Sequence, residues 1–168
     1  MADPAPFRPE DIVATLERHH VAYVVIGGFA AVIHGAPYIT RDVDITPSAA
    51  PDNLTRLSAA LRELEARVRA ADLPEGLAFD HDAASLARVG VWNLVTAAGD
   101  LDISFIPTGT TGYDDLRRDA VAVEIHGTRV RVASLADVVR SKEAAGRPKD
   151  RLALPVLRRL LEETLRRR

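Results

Sequence analysis

"VVIGGFAAVIHGAPYITRDVDI", residues 24–45, decides how this chain is read. A β-branched run ends on Gly27 and Gly28, a short apolar segment follows, and Asp42 and Asp44 close the stretch. "VAYVVI" (21–26) reads as a buried strand that the glycine pair ends. "FAAVIHG" (29–35) reads as a short helix stopped by Gly35 and Pro37. "RDVDIT" (41–46) alternates as a half-buried strand does. Side chains at i and i+2 of a strand share a face, so Asp42 and Asp44 project together while Val43 and Ile45 turn into the core. Adjacent carboxylates repel, and a cation offsets that repulsion. Ligand sets made of oxygen alone favour Mg²⁺, Mn²⁺ or Ca²⁺ over zinc. At the glycine pair, the missing Cβ atoms let backbone N–H groups approach an anion at the N-terminus of the next helix. A Gly-Gly turn or an Asp-x-Asp strand alone is ordinarily structural. In this order, a phosphate cradle and paired metal ligands are what phosphoryl or nucleotidyl transfer requires.

The rest of the chain bounds that reading. At 168 residues and 47% apolar content, it suits one domain with a self-sufficient core. It has no cysteine, which excludes disulfides, thiolate metal sites and cysteine nucleophiles. "MADPAPFRPED" lacks the apolar region of a signal peptide, and no run approaches the ~18 apolar residues of a membrane span. The expectation is a cytoplasmic protein with no membrane partner. A net charge of −2 hides an asymmetry, because residues 140–168 carry ten Lys or Arg against four Asp or Glu. That basic end suggests an anionic partner. Part of it has a plainer reading: Arg158–Glu162, Arg159–Glu163 and Glu162–Arg166 sit at the i, i+4 spacing of a solvated helix face.

Residues 9–19 read as a helix opened by Pro9, and 52–70 as the clearest amphipathic helix, with Leu54, Leu57, Leu61 and Leu64 on one side. Residues 72–90 read only as a polar connection. "VWNLVT" (91–96) and "LDISFI" (101–106) flank a hairpin turn, as do "VAVEI" and "RVRVA". Ser134 caps a helix that ends near Ala145, and Pro155 is expected to start the last helix. The order suggests an α/β (α+β) fold: a small mixed sheet flanked by helices, with residues 1–133 as its core and 134–168 as a C-terminal helical segment packed on the same domain. The five histidines show no ligand spacing, and aromatics at 5% give no stacking platform for single-stranded nucleic acid.

The arrangement resembles the nucleotidyltransferase superfamily of DNA polymerase β. There a glycine turn opens a helix, an Asp-x-Asp strand follows, and a later strand supplies a third carboxylate. More narrowly, "VIGGFAAVIHG…TRDVDI" with "RSKEAAGRPKD" is similar to the AbiEii/AbiGii-type toxin nucleotidyltransferases of bacterial toxin–antitoxin systems. The chain departs from many of these relatives at Tyr38, where they carry arginine. The resemblance implies that Asp42, Asp44 and a third carboxylate hold Mg²⁺ or Mn²⁺, and that Gly27, Gly28 and Lys142 face the nucleotide phosphates. Asp102 fits the third position because it lies mid-strand between Leu101 and Ile103; Asp100 shares its parity but is expected at the turn. Asp150 also matches the family and could equally cap a turn.

The implied function is metal-dependent transfer of a nucleotide from an NTP such as ATP to an RNA, the tRNA 3′ end, by a toxin restrained by an antitoxin protein. Arg147, Lys149 and Arg151, expected on a loop, are the candidate RNA contacts. Two other readings stay open: an antibiotic-modifying enzyme with a small acceptor, and an inactive nucleotide-binding or antitoxin module.

Overall fold

The computed structural model of the chain describes residues 3–168. Pro9 fits the first turn of a helix, where its missing N–H is no loss, and α1 (Pro9–Arg18) buries Ile12, Val13 and Leu16. β1 (Tyr23–Ile26) runs straight into α2 (Gly27–Ile33), so the glycines form the first turn of the helix rather than a loop before it. β2 (Asp42–Pro47) carries the paired aspartates, and α3 (Pro51–Glu63) buries Leu54, Leu57 and Leu61. Leu57 is fully buried, and truncating such a leucine to alanine costs about 2–5 kcal/mol.

Here the chain departs from its sequence reading. The helix expected over 52–70 stops at Glu63, and residues 67–70 form β3 (Arg67–Ala70). The stretch with no readable structure contains β4 (Leu73–Leu77) and α4 (Ala83–Ala87), the latter capped by the Asp82 carboxylate accepting from the Ser85 amide at 2.8 Å. β5 (Val91–Thr96) and β6 (Gly99–Ser104) form the expected hairpin, with Asp100 inside the strand rather than at its turn. A short helix that the sequence did not announce, α5 (Tyr113–Arg118), precedes the second hairpin of β7 (Val121–Ile125) and β8 (Thr128–Val132). α6 (Leu135–Ala145) is capped by Ser134 and ends on the left-handed Gly146 (φ 59°).

The last helix, α7 (Pro148–Arg166), begins seven residues earlier than Pro155 predicts. Pro148 is an equally good first residue, and the Asp150 carboxylate accepts from the Arg147 amide at 3.1 Å, which caps the helix there. Pro155 is carried in the interior. The carbonyl that loses its partner belongs to Arg151, which is exposed and within reach of water. Arg158 does not bond along its own helix but crosses to Glu143 of α6 at 2.8 Å.

The eight strands form one mixed sheet in the order β4-β3-β5-β6-β2-β1-β8-β7. At its centre β2 and β6 run parallel, with Asp42 opposite Asp100 and Asp44 opposite Asp102. Val43, Ile45, Leu101 and Ile103, the intervening residues, are all 0% exposed. α1 packs on β2, β6 and β8, and α2 packs on β1, β2 and α6. One face of the central strands is thus core, and the other is left for the aspartates.

Candidate active site

The alternation of β2 and the alternation of β6 meet in register, so four aspartates of two adjacent strands share one face. One carboxylate oxygen from each of Asp42, Asp44 and Asp102 lies within 4.8 Å of the others. Of the two aspartates on β6, it is therefore Asp102 that joins the β2 pair. Asp100 turns to Arg69 of β3 at 3.3 Å, and the same guanidinium reaches Asp102 Oδ1 at 3.0 Å. Thr40 donates its hydroxyl to Asp42 Oδ1 at 3.1 Å, fixing that carboxylate from the loop before β2.

Crowding and burial act on the protons. The Asp44 carboxyl is raised from 3.8 to about 7, first by burial and then by the charges of Asp42 and Asp102, against the opposing charges of Lys142 and Lys149. Burial likewise raises Asp102 to about 6; Arg69 opposes the rise and Asp42 adds to it.

These carboxylates floor a cleft of about 1070 Å³ whose wall includes Gly27, Gly28, Tyr38, Lys142, Arg147 and Lys149. Gly27 is required twice over. Its φ is +63°, and a Cβ there would sit 2.7 Å from Asp44 Oδ2. A Cβ on Gly28 would meet Thr40 Oγ1 at an ordinary 3.7 Å, so that position has room.

On the opposite wall Lys142 is 14% exposed, with Nζ 3.5 Å from Asp150 Oδ1. Asp150 is fully buried and accepts from Arg147 Nε at 2.7 Å. Burial works to raise its pKa, but the bonds from Arg147 and the charges of Arg147 and Lys142 outweigh it, and the group is held below the usual carboxylate range. The basic segment is therefore not the unpaired loop that its sequence suggests. Arg147 caps α7 and is engaged by Asp150, while Lys149 and Arg151 lie in the first turn of the helix. Lys149 reaches the cleft wall; Arg151 is exposed and, among the described residues, stands apart from that wall.

Asp115 of α5 braces the cleft from behind. It accepts from the Thr111 amide at 2.9 Å and pairs with Arg140 and Arg118, which together hold its pKa at about 2. This ties down the loop that brings Pro107, Thr108 and Thr110 to the cleft. Both α5 and Arg69 escaped the sequence reading. The alternation of "RVRA" (67–70) was the available signal for Arg69, hidden behind helix-forming neighbours.

No protein-family model matches the sequence, and no curated protein does. Solved structures do. A candidate nucleotidyltransferase from Thermotoga maritima superposes with a TM-score of 0.56 at 20% identity, over 95% of this chain and 97% of its own. The lincosamide antibiotic adenylyltransferase LnuA, solved with lincomycin bound, gives 0.59 at 14% identity, over 90% and 95%. The antibiotic-resistance factor ANT(2″)-Ia gives 0.56 at 15% identity, over 89% and 80%. The chain has the nucleotidyltransferase fold.

Within that fold the donor set can be tested against a metal. Asp42, Asp44 and Asp102 offer oxygen alone, are partly withdrawn from water and repel one another, with Arg69 countering the charge only on the Asp102 side. That is a fit for a hard divalent cation and a poor one for zinc. Tyr38, which stands where an arginine was expected from the resemblance, lines the cleft with its hydroxyl buried and without a protein partner among the described residues. No helix among those residues is long and apolar enough to cross a membrane.

Proposed function

We propose that the chain is a metal-dependent nucleotidyltransferase that moves a nucleotidyl group from an NTP to an acceptor hydroxyl. The observation that carries this is the meeting of three carboxylates, a glycine-opened helix and a basic wall in one cleft. Asp42 and Asp44 would hold Mg²⁺ or Mn²⁺, with Asp102 completing the set. The metal's contribution when bound is to neutralise charge on the phosphoryl oxygens. The backbone of Gly27 and Gly28 holds the triphosphate. Residues 1–133 then form the catalytic core, and 134–168 deliver Lys142, held by Asp150, to the phosphates, where its charge is worth most as the leaving group departs. Asp102 accepts the proton of the acceptor hydroxyl, the oxygen bonds to the α-phosphorus, and the bond to the bridging oxygen breaks to release pyrophosphate.

For the acceptor we propose an RNA 3′ end, that of tRNA, in a toxin whose partner is an antitoxin protein; the cell compartment is then the cytoplasm. Support comes from the resemblance around the glycine and aspartate motifs and from the cationic mouth at Arg147 and Lys149, with Arg151 beyond it. A second reading, a small hydroxylated acceptor, is favoured by the two antibiotic-modifying proteins among the similar structures. One experiment separates them. The protein is incubated with each α-labelled NTP and Mg²⁺, together with total RNA, an aminoglycoside or a lincosamide. Label at an RNA 3′ end is expected; label on a small molecule would transfer the proposal to the second reading, and no label anywhere would end both.

A further inference from the structure

Arg69 does something the carboxylates cannot do for themselves. Asp42, Asp44, Asp100 and Asp102 face the same way from two adjacent strands, so strand alternation alone offers both Asp100 and Asp102 to the β2 pair. Arg69 reaches them from β3, which is not a neighbour of β6: β5 lies between. Val68 pairs with Leu94, a fully buried residue, while Asn93 pairs with Asp102. Alternation therefore turns Arg69 onto the face of Asp102.

From there its side chain spans β5, about two strand spacings of ~4.8 Å each. One terminal nitrogen, Nη2, reaches the Leu94 carbonyl at 3.4 Å and ends between Asp100 Oδ2 (3.3 Å) and Asp102 Oδ1 (3.0 Å). Stretching an arginine this far costs rotamer entropy. The strand is irregular at the same place. Its pairing with β4 slips between Val68 and Ala70, opposite Gly76 at φ +74°, so Arg69 has no regular partner on that side.

We propose that Arg69 is the positioning residue of the acidic face: it withdraws Asp100 and pins one oxygen of Asp102, so that a divalent cation meets three carboxylates in one fixed arrangement rather than four in several. This rests on the transfer reading above. It also predicts opposite effects on two measurements. Removing the guanidinium removes a competing positive charge, so the ion is held more tightly. It also frees Asp102 to rotate and lets Asp100 compete, so turnover falls.

The test compares the full chain with Arg69→Met, which keeps the apolar stem, and Arg69→Lys. Mn²⁺ is titrated by water-proton relaxation, and transfer is followed with labelled NTP. For Arg69→Met, Mn²⁺ should bind several-fold more tightly while kcat falls roughly 10–100-fold, the scale for partners that orient metal ligands, with KM for the NTP unmoved. Arg69→Lys should recover Mn²⁺ affinity better than kcat, because its ammonium restores the charge on a shorter, freely rotating stem without the planar group's fixed orientation. Unchanged Mn²⁺ affinity, or turnover equal to or above that of the parent chain, overturns the proposal. If the parent chain transfers no nucleotide, the function reading fails. The Mn²⁺ titration then still decides whether Arg69 governs the carboxylates, with equal affinity for parent and Arg69→Met counting against it.

Discussion

Asp44 and Asp150 are both aspartates drawn out of water, and they respond in opposite directions. Asp150 is completely buried, yet Arg147 and Lys142 surround it and its proton is lost more readily than usual. Asp44 is less deeply placed, but burial, reinforced by the charges of Asp42 and Asp102, raises its pKa to about 7. Burial pushes both upward; the cations beside Asp150 outweigh it, and those near Asp44 do not. A carboxylate that serves the fold comes with its cations built in. One that awaits a ligand is left short of them, and the shortage is what the proposed divalent ion would fill.

The contrast breaks if the two residues answer mutation alike. Asp44→Ala should lower transfer by roughly 10²–10³-fold, the scale for losing one electrostatic contribution to the transition state, here that of the cation Asp44 would hold, and should leave the metal-free protein no less stable. Asp150→Asn should instead destabilise by about 1–3 kcal/mol, because Lys142 and Arg147 lose the negative charge they share and one of its two acceptor oxygens. Urea melts and labelled-NTP assays on both variants read the two effects side by side. Equal loss of stability in both would erase the distinction.

A smaller effect sharpens it. The Asp44 carboxyl binds its proton more tightly folded (about 7) than in the ordinary state (3.8), so the native protein holds more protons between these values. Stability of the metal-free protein must therefore fall as pH rises from about 4 to about 7, with Asp102, raised to about 6, adding to the slope. Asp150 gives the opposite sign, since its lowered pKa confers stability that is present above the unfolded value and lost as pH falls. Thermal melts across this range should show a shallower decline for Asp44→Asn than for the parent chain, and saturating Mg²⁺ should flatten the parent's decline.

The smallest expected difference concerns the glycines opposite Asp44. Gly28→Ala should melt within about 1 kcal/mol of the parent, the usual cost of a surface-type change without strain, while NTP affinity falls. Gly27→Ala should lose more stability, because it faces both a left-handed backbone and the Asp44 carboxylate. Fluorescent-nucleotide titration alongside melts distinguishes them.

The acidic face was legible because i, i+2 spacing on a strand needs no knowledge of the rest of the chain. Asp42 and Asp44 could be paired from their positions alone, and Asp102 by its apolar neighbours. The end of α3 was not legible. "LEARVRA" (64–70) is rich in helix formers, and the helix stops by placing Glu65 in the left-handed region (φ 54°) with the Ala66 amide bonded back to Leu61 at 2.9 Å. Glycine at such a position would have announced the stop; glutamate conceals it at a cost of about 1–2 kcal/mol. Hiding β3 hid Arg69, whose importance depends on a register across β5 that no local pattern encodes. Pro155 misled for the converse reason: a residue that ordinarily opens helices was tolerated inside one, because the Asp150 cap had already opened it at Pro148.

The parallel pairing of β2 with β6 has a further consequence, for folding. Asp44 and Asp102 belong to strands separated in the chain by two helices, α3 and α4, and three other strands, so their juxtaposition is among the long-range contacts of the sheet. Such contacts form only after the entropy of closing a long loop has been met. No single segment holds all three oxygens, and the unfolded chain offers at most the β2 pair. An ion that needs the complete set distinguishes the finished sheet from every open form of it. The concentration of the proposed ion would therefore be coupled to the folding equilibrium itself, with a stabilisation that grows as RT ln(1 + [L]/Kd).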